Sequence, residues 1–142
     1  MNHILKFRVW DKREKEFVTG DIHLATFYLS DSGGLFKDCE FDNIPDEVNP
    51  KNFIIQQFTG LKDKNGKEIY EGDILQENLG QEDLRNYKVE WGGDGWFLIC
   101  IDKGWNLAKA LELDGEEQPR MSFFYHNMII IGNIFENPDL LI

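Results

Sequence analysis

Residues 63–66, Asp-Lys-Asn-Gly, place a carboxylate, an amide and a glycine in close succession, the residue types a calcium loop uses. The spacing does not serve a cation. Such a loop needs oxygen donors at its first, third and fifth positions, glycine at the sixth and glutamate at the twelfth. With Gly66 as the sixth residue, the first is Leu61, which has no donor; with Asp63 first, Lys67 falls on a ligand position. His3, His23 and His126 stand alone, with no HxH or HExxH pattern and no paired cysteines beside them, whereas zinc needs about four converging ligands. Cys100 lies in the apolar run WFLICI, where a thiol behaves as a small hydrophobe. Cys39 sits between Asp38 and Glu40, whose charge opposes formation of a thiolate. Glu71 and Asp73 flank Gly72 and have the types of an acid–base pair; the stronger reading is that Asp73 accepts backbone N–H bonds where the chain bends. The run GGDG (92–95) is not followed by Lys-Ser or Lys-Thr and opens no helix, so it reads as a hairpin turn and not a phosphate loop. These readings lead us to expect no catalytic residue, no metal and no cofactor.

What remains is recognition by a surface. Trp91, Trp96 and Trp105 cluster around the run YKVEWGGDGWFLICI, and Trp91 and Trp96 are placed to be cross-strand neighbours. They are candidate partner-binding residues if exposed and core residues if not. Lys62, Lys64 and Lys67 form the one compact basic patch, diluted by Asp63 and Glu68.

The elements that must position these residues read as strands. ILKFRVW (4–10) alternates, with Leu5, Phe7 and Val9 on one face and Lys6 and Arg8 on the other. DKREKE turns the chain into FVTG, and IHLATFYLS (22–30) follows as a third strand, ended by DSGG. CEFDNIPDEVNPKN (39–52) has no period and two prolines, and reads as a connector. FIIQQFTG (53–60) resumes β character. Asn65-Gly66 lies between two β-like segments and predicts a type I′ hairpin, whose two positive-φ residues match strand twist. EGDIL starts another strand, NLGQEDLRN (78–86) reads as a loop, and YKVEW with WFLICI forms a second hairpin. NLAKALELDG (106–115) reads as a short helix capped by Asn106 and ended at Gly115, with a strand and turn as the alternative. MSFFYH and MIIIGNIF close the sheet, and Pro138 suits the first turn of a short helix whose leucines can plug one end of a barrel. Many short strands and tight turns predict a mainly β fold.

Composition sets the frame. The 142 residues are enough for one ordinary domain or two small subdomains. Eleven Phe and four Trp favour pleated surfaces. The net charge of −11 speaks against direct binding of nucleic acid or of anionic membranes, because like charge repels a phosphate backbone. Two distant cysteines suggest a reducing compartment, and the apolar run MIII (128–131) is far too short to span a membrane. The residues after Met1 have no apolar core with a cleavage site, so no secretory signal is expected.

Three blocks carry a likeness: KFRVWDK (6–12), QQFTGLKDKNGKEIYEGDIL (56–75) and IIGNIFENPDLL (130–141). In their order and spacing they resemble the YopX-like proteins of bacteriophages and prophages in Gram-positive bacteria. The likeness is weak across 20–50 and 77–127. Phe58 and Phe135 stand where that pattern has Tyr, which keeps the ring and loses the hydroxyl. The resemblance implies a small N-terminal β subdomain with a Pro-containing connector over residues 1–52, then an SH3-like barrel with a C-terminal cap over 53–142. It implies no established activity and no site residues. The expectation is a non-catalytic module of the host bacterial cytoplasm that binds an unidentified protein partner or assembles with itself. Its rivals are an accessory role in phage DNA metabolism, by contacting replication proteins or mimicking nucleic acid, and an enzyme with an unrecognised site.

Overall fold

The computed structural model describes residues 5–18, 25–30, 32–39, 46–78, 80, 84–93, 95–102 and 125–141. Over these residues the protein is mainly β: eleven strands, all paired antiparallel where their register is defined, and two short 3-10 turns. The chain divides into two compact units, Arg8–Ile55, and Met1–Phe7 with Gln56–Ile142.

In the unit Arg8–Ile55, strand β1 (Phe7–Asp11) pairs with β2 (Glu16–Val18), with Val9 opposite Val18 and Trp10 opposite Phe17. The turn between them is organised by Asp11, whose Oδ1 accepts the N–H of Arg13 at 2.8 Å. The rings of Trp10 and Phe17 meet edge to face at 5.0 Å, and Val9 and Trp10 are buried. β3 (Ala25–Leu29), β4 (Leu35–Cys39) and β5 (Asp46–Glu47) form a three-stranded meander. The stretch 39–52 is therefore not all connector: Cys39 ends β4, and Glu47 and Asp46 pair with Phe36 and Lys37. A two-residue strand leaves no period for sequence to show.

β6 (Phe53–Lys62) runs into the other unit from Gln56 onward and folds back through a loop into β7 (Glu68–Tyr70). β8 (Asp73–Asn78), β9 (Leu84–Trp91) and β10 (Trp96–Cys100) follow as a meander, and β11 (Met128–Asn133) returns to pair with β8, giving the order β10-β9-β8-β11. The expected loop 78–86 is shorter than its polarity suggests, because Asn78 and Leu84 are already cross-strand partners. The core is drawn from alternate positions of these strands: Ile69, Leu75, Val89, Leu98 and Met128, with Leu61, Tyr87, Trp96 and Ile130 packed against it. Each fully buried aliphatic side chain contributes roughly 1.5–3 kcal/mol of hydrophobic stabilisation. Residues 125–127 are a 3-10 turn and not the end of a strand. The expected helix at 106–115 lies outside the described residues. Pro138 opens a 3-10 turn over Pro138–Leu141, in which Leu140 is half-buried and Leu141 is exposed.

Candidate functional site

The loop 63–66 is closed by Asp63. Its Oδ1 accepts the backbone N–H of Asn65 and of Lys67, each at 2.9 Å. Its Oδ2 accepts the N–H of Ile130 at 3.0 Å, and the N–H of Lys64 reaches the carbonyl of Met128 at 3.0 Å. Asp63 is buried, and amide hydrogens stand around its oxygens where a cation would stand in a calcium loop. The hairpin is not type I′. Asn65 does not adopt positive φ; Gly66 alone does, at 82°. The N–H of Gly66 bonds the Asp63 carbonyl, and the N–H of Asp63 bonds that of Lys67, so the loop has three residues with a left-handed glycine last. An inward carboxylate that satisfies two loop amides replaces the second positive-φ residue.

A second knot lies behind Gly72. Gln56, Asp73 and Asn133 are exposed by only 1, 1 and 2%. The Asn133 side-chain amide donates to Gln56 Oε1 at 3.2 Å and to Asp73 Oδ1 at 3.1 Å. Asp73 Oδ2 accepts the Tyr70 N–H at 2.8 Å, the backbone role expected of it at the bend. Gly72 has φ 78°, and a Cβ there would collide with the Gln56 amide. Every buried side-chain nitrogen and oxygen among the described residues has a hydrogen-bond partner, which is how polar groups become tolerable inside a fold. Glu71 is separate from this knot; burial raises its carboxyl above the usual range, with Glu90 adding to the effect.

The aromatic candidates sit elsewhere, on the β9–β10 hairpin. Trp91 and Trp96 are cross-strand partners, with ring centroids 5.0 Å apart and planes at 66°. The bond from Gly92 N–H to the Gly95 carbonyl closes the loop just beyond them. Trp91 and Trp96 are therefore the next, non-hydrogen-bonded pair, where side chains approach most closely. Along that face burial falls from Val89, at 1% exposure, to Trp91, at 50%. Trp96 packs against the core and Trp91 stands on it. Trp105 lies outside the described residues.

At the other end of the hairpin Cys100 is half-buried, and burial holds its thiol above its ordinary pKa. Beside it, Asp102 accepts the backbone N–H of Asn86 at 2.7 Å. Tyr87 donates its hydroxyl to Glu77 at 3.2 Å, and burial, with the charge of Glu77, pushes its pKa up to about 12. A thiol held protonated is a poor nucleophile. Among the described residues, no three His, Cys, Asp or Glu side chains group so as to hold a metal ion.

Lys62, Lys64 and Lys67 are exposed, with Asp63 turned inward beneath them. Glu68 is engaged by Lys6 at 2.7 Å and by Tyr70 at 3.0 Å, bonds that lower its pKa.

Residues 6–142 match the family model described as YopX protein. The chain belongs to the YopX family. A crystal structure of protein EF1440 from Enterococcus faecalis is similar at 27% identity, covering 99% of this chain and 100% of that one, with a TM-score of 0.60. The crystal structure of yopX from Bacillus subtilis shares the fold at 18% identity, covering 96% and 97%, with a TM-score of 0.61. Among curated proteins nothing matches. The family blocks can be laid on the structure. Gln56, Asp63, Gly72 and Asp73 from the second block bond or abut Ile130, Asn133 and Ile134 from the third. Phe58, from the second block, is buried against Tyr70 with centroids 5.4 Å apart.

Proposed function

We propose that this YopX-family protein is a non-catalytic interaction module, and that its β9–β10 hairpin presents Trp91 to a protein partner. The supporting observation is the exposure of half of a tryptophan that stands edge to face on a second, core-packed tryptophan. A large ring already held in place loses little entropy on binding, which is why such anchors dominate interface energies. Assembly with a second copy of the chain is the other use of the same ring. The unit holding this hairpin is inferred to be an SH3-like barrel, supported by the β8-β9-β10 meander and the return of β11 onto β8. The setting is inferred from the likeness of the three sequence blocks: a phage or prophage product working in the host cytoplasm. No helix among the described residues is long and apolar enough to cross a membrane.

The test compares tagged wild type with Trp91→Ala in pull-downs from phage-infected host lysate, with and without nuclease, alongside sedimentation of the purified proteins. A protein captured by wild type, insensitive to nuclease and lost with Trp91→Ala, supports the reading. Concentration-dependent association lost with Trp91→Ala assigns the ring to self-assembly. Capture that vanishes with nuclease favours a role in DNA metabolism. Capture unchanged by the substitution removes Trp91 from the function.

A further inference from the structure

The loop that carries Asn65-Gly66 holds a reaction whose only other reactant is water. Glycine has no Cβ to crowd its neighbours, so the nitrogen of a following glycine reaches an asparagine side chain easily. The Gly66 nitrogen gives its proton to solvent and bonds to Asn65 Cγ, and the side-chain nitrogen leaves as ammonia. Water then opens the five-membered imide. Cleavage between Cγ and nitrogen gives aspartate; cleavage between the backbone carbonyl carbon and nitrogen gives isoaspartate, whose main chain runs through Cβ and Cγ. The sum is asparagine plus water to acid plus ammonia, with nothing oxidised or reduced.

The fold controls access to the first step. Asn65 and Gly66 are exposed, so water is not limiting. The attacking nitrogen, however, donates its hydrogen to the Asp63 carbonyl at 2.9 Å. The amides on both sides of it, Asn65 and Lys67, are held on Asp63 Oδ1. We propose that Asn65 is a modification site governed by Asp63: conversion is slow while the loop is closed and fast once it opens. Isoaspartate would lengthen the main chain by one atom inside a loop pinned at Asp63 and Lys67. Those bonds lose their register, and with them the hold of Asp63 on Ile130, 67 residues away. The modification therefore marks chains whose hairpin has opened and keeps the hairpin open. This goes beyond the interaction reading and does not depend on Trp91.

The experiment is peptide mapping by mass spectrometry of the full chain, incubated at mildly alkaline pH with and without urea. Conversion at Asn65 is expected to be several-fold slower in the native protein, up to about tenfold, since one hydrogen bond must first be broken. Asp63→Ala should bring the native rate towards the urea rate. Because Asp63→Ala can destabilise the whole chain, amide exchange at Gly66 in the wild type is the independent measurement, and protection of similar size is expected. Equal rates with and without urea, a folded Asp63→Ala protein converting at the wild-type rate, or an unprotected Gly66 amide would each overturn the proposal.

Discussion

The β6–β7 loop and the β9–β10 loop belong to the same unit, and each is closed by a backbone bond between residues flanking its tip. They treat their side chains in opposite ways. The first sends its acid inward, where Asp63 ties the loop to β11. The second sends its outermost ring into solvent, where Trp91 leaves half its surface uncovered. The first loop, with the Gln56–Asp73–Asn133 knot beside it, uses its buried polar atoms to hold strands together. The second is held by the Gly92–Gly95 bond and by the contact of Trp96 with the core. The more recognisable stretch of sequence is thus the structural one, and the proposed recognition surface lies outside the three sequence blocks.

The largest effects should come from the knot. Asp73→Ala removes the acceptor for Tyr70 N–H and for the Asn133 amide at a site exposed by only 1%. The expected loss is about 3–5 kcal/mol, because two buried donors are left without their acceptor. Urea unfolding would show it as a lower midpoint at unchanged slope. A loss under about 1 kcal/mol would mean that the knot is incidental. Asp63→Ala should cost less, about 2–3 kcal/mol, because the exposed loop amides it deserts can turn to water while Ile130 N–H cannot do so as readily.

The tryptophans break the comparison within one pair. Trp96→Ala uncovers the core and should cost about 2–3 kcal/mol, short of a fully buried ring because Trp96 is only partly buried. Trp91→Ala should cost less than about 1 kcal/mol, since half the ring is already wet. Equal losses for the two would mean that Trp91 belongs to the core and is no anchor.

Much of this was legible before the fold was seen. The pairing of YKVEW with WFLICI across the GGDG turn placed Trp91 and Trp96 as cross-strand neighbours, because the register of a hairpin is a local property. Asp73 beside Gly72 was legible as a bend acceptor for the same reason. The type of the Asn65-Gly66 turn was misread because the deciding group, the Asp63 carboxylate, competes with the turn's own dihedral preferences. Gln56 and Asn133 gave no signal at all. They are 77 residues apart, and a pair of amides that meet once leaves neither a period nor a motif.

The smallest effect is a pH dependence on the row Tyr87, Val89, Trp91, at the end opposite the exposed ring. Tyr87 keeps its proton to about pH 12 in the fold, against an ordinary value of 10.0. Below pH 10.0 both folded and unfolded chains hold this proton, and the phenol contributes its full stabilisation. Above it the unfolded chain releases the proton first, so this contribution falls as pH rises towards about 12. The readout is the difference between wild type and Tyr87→Phe, which cancels every group the two proteins share. Urea unfolding from about pH 9 to about pH 11.5 should show wild type losing its advantage over the variant as the solution becomes more alkaline. A difference that stays flat would mean the phenol ionises as readily in the fold as out of it. The covered end of the row would then be as open to solvent as Trp91, and the contrast in burial along β9 would not hold.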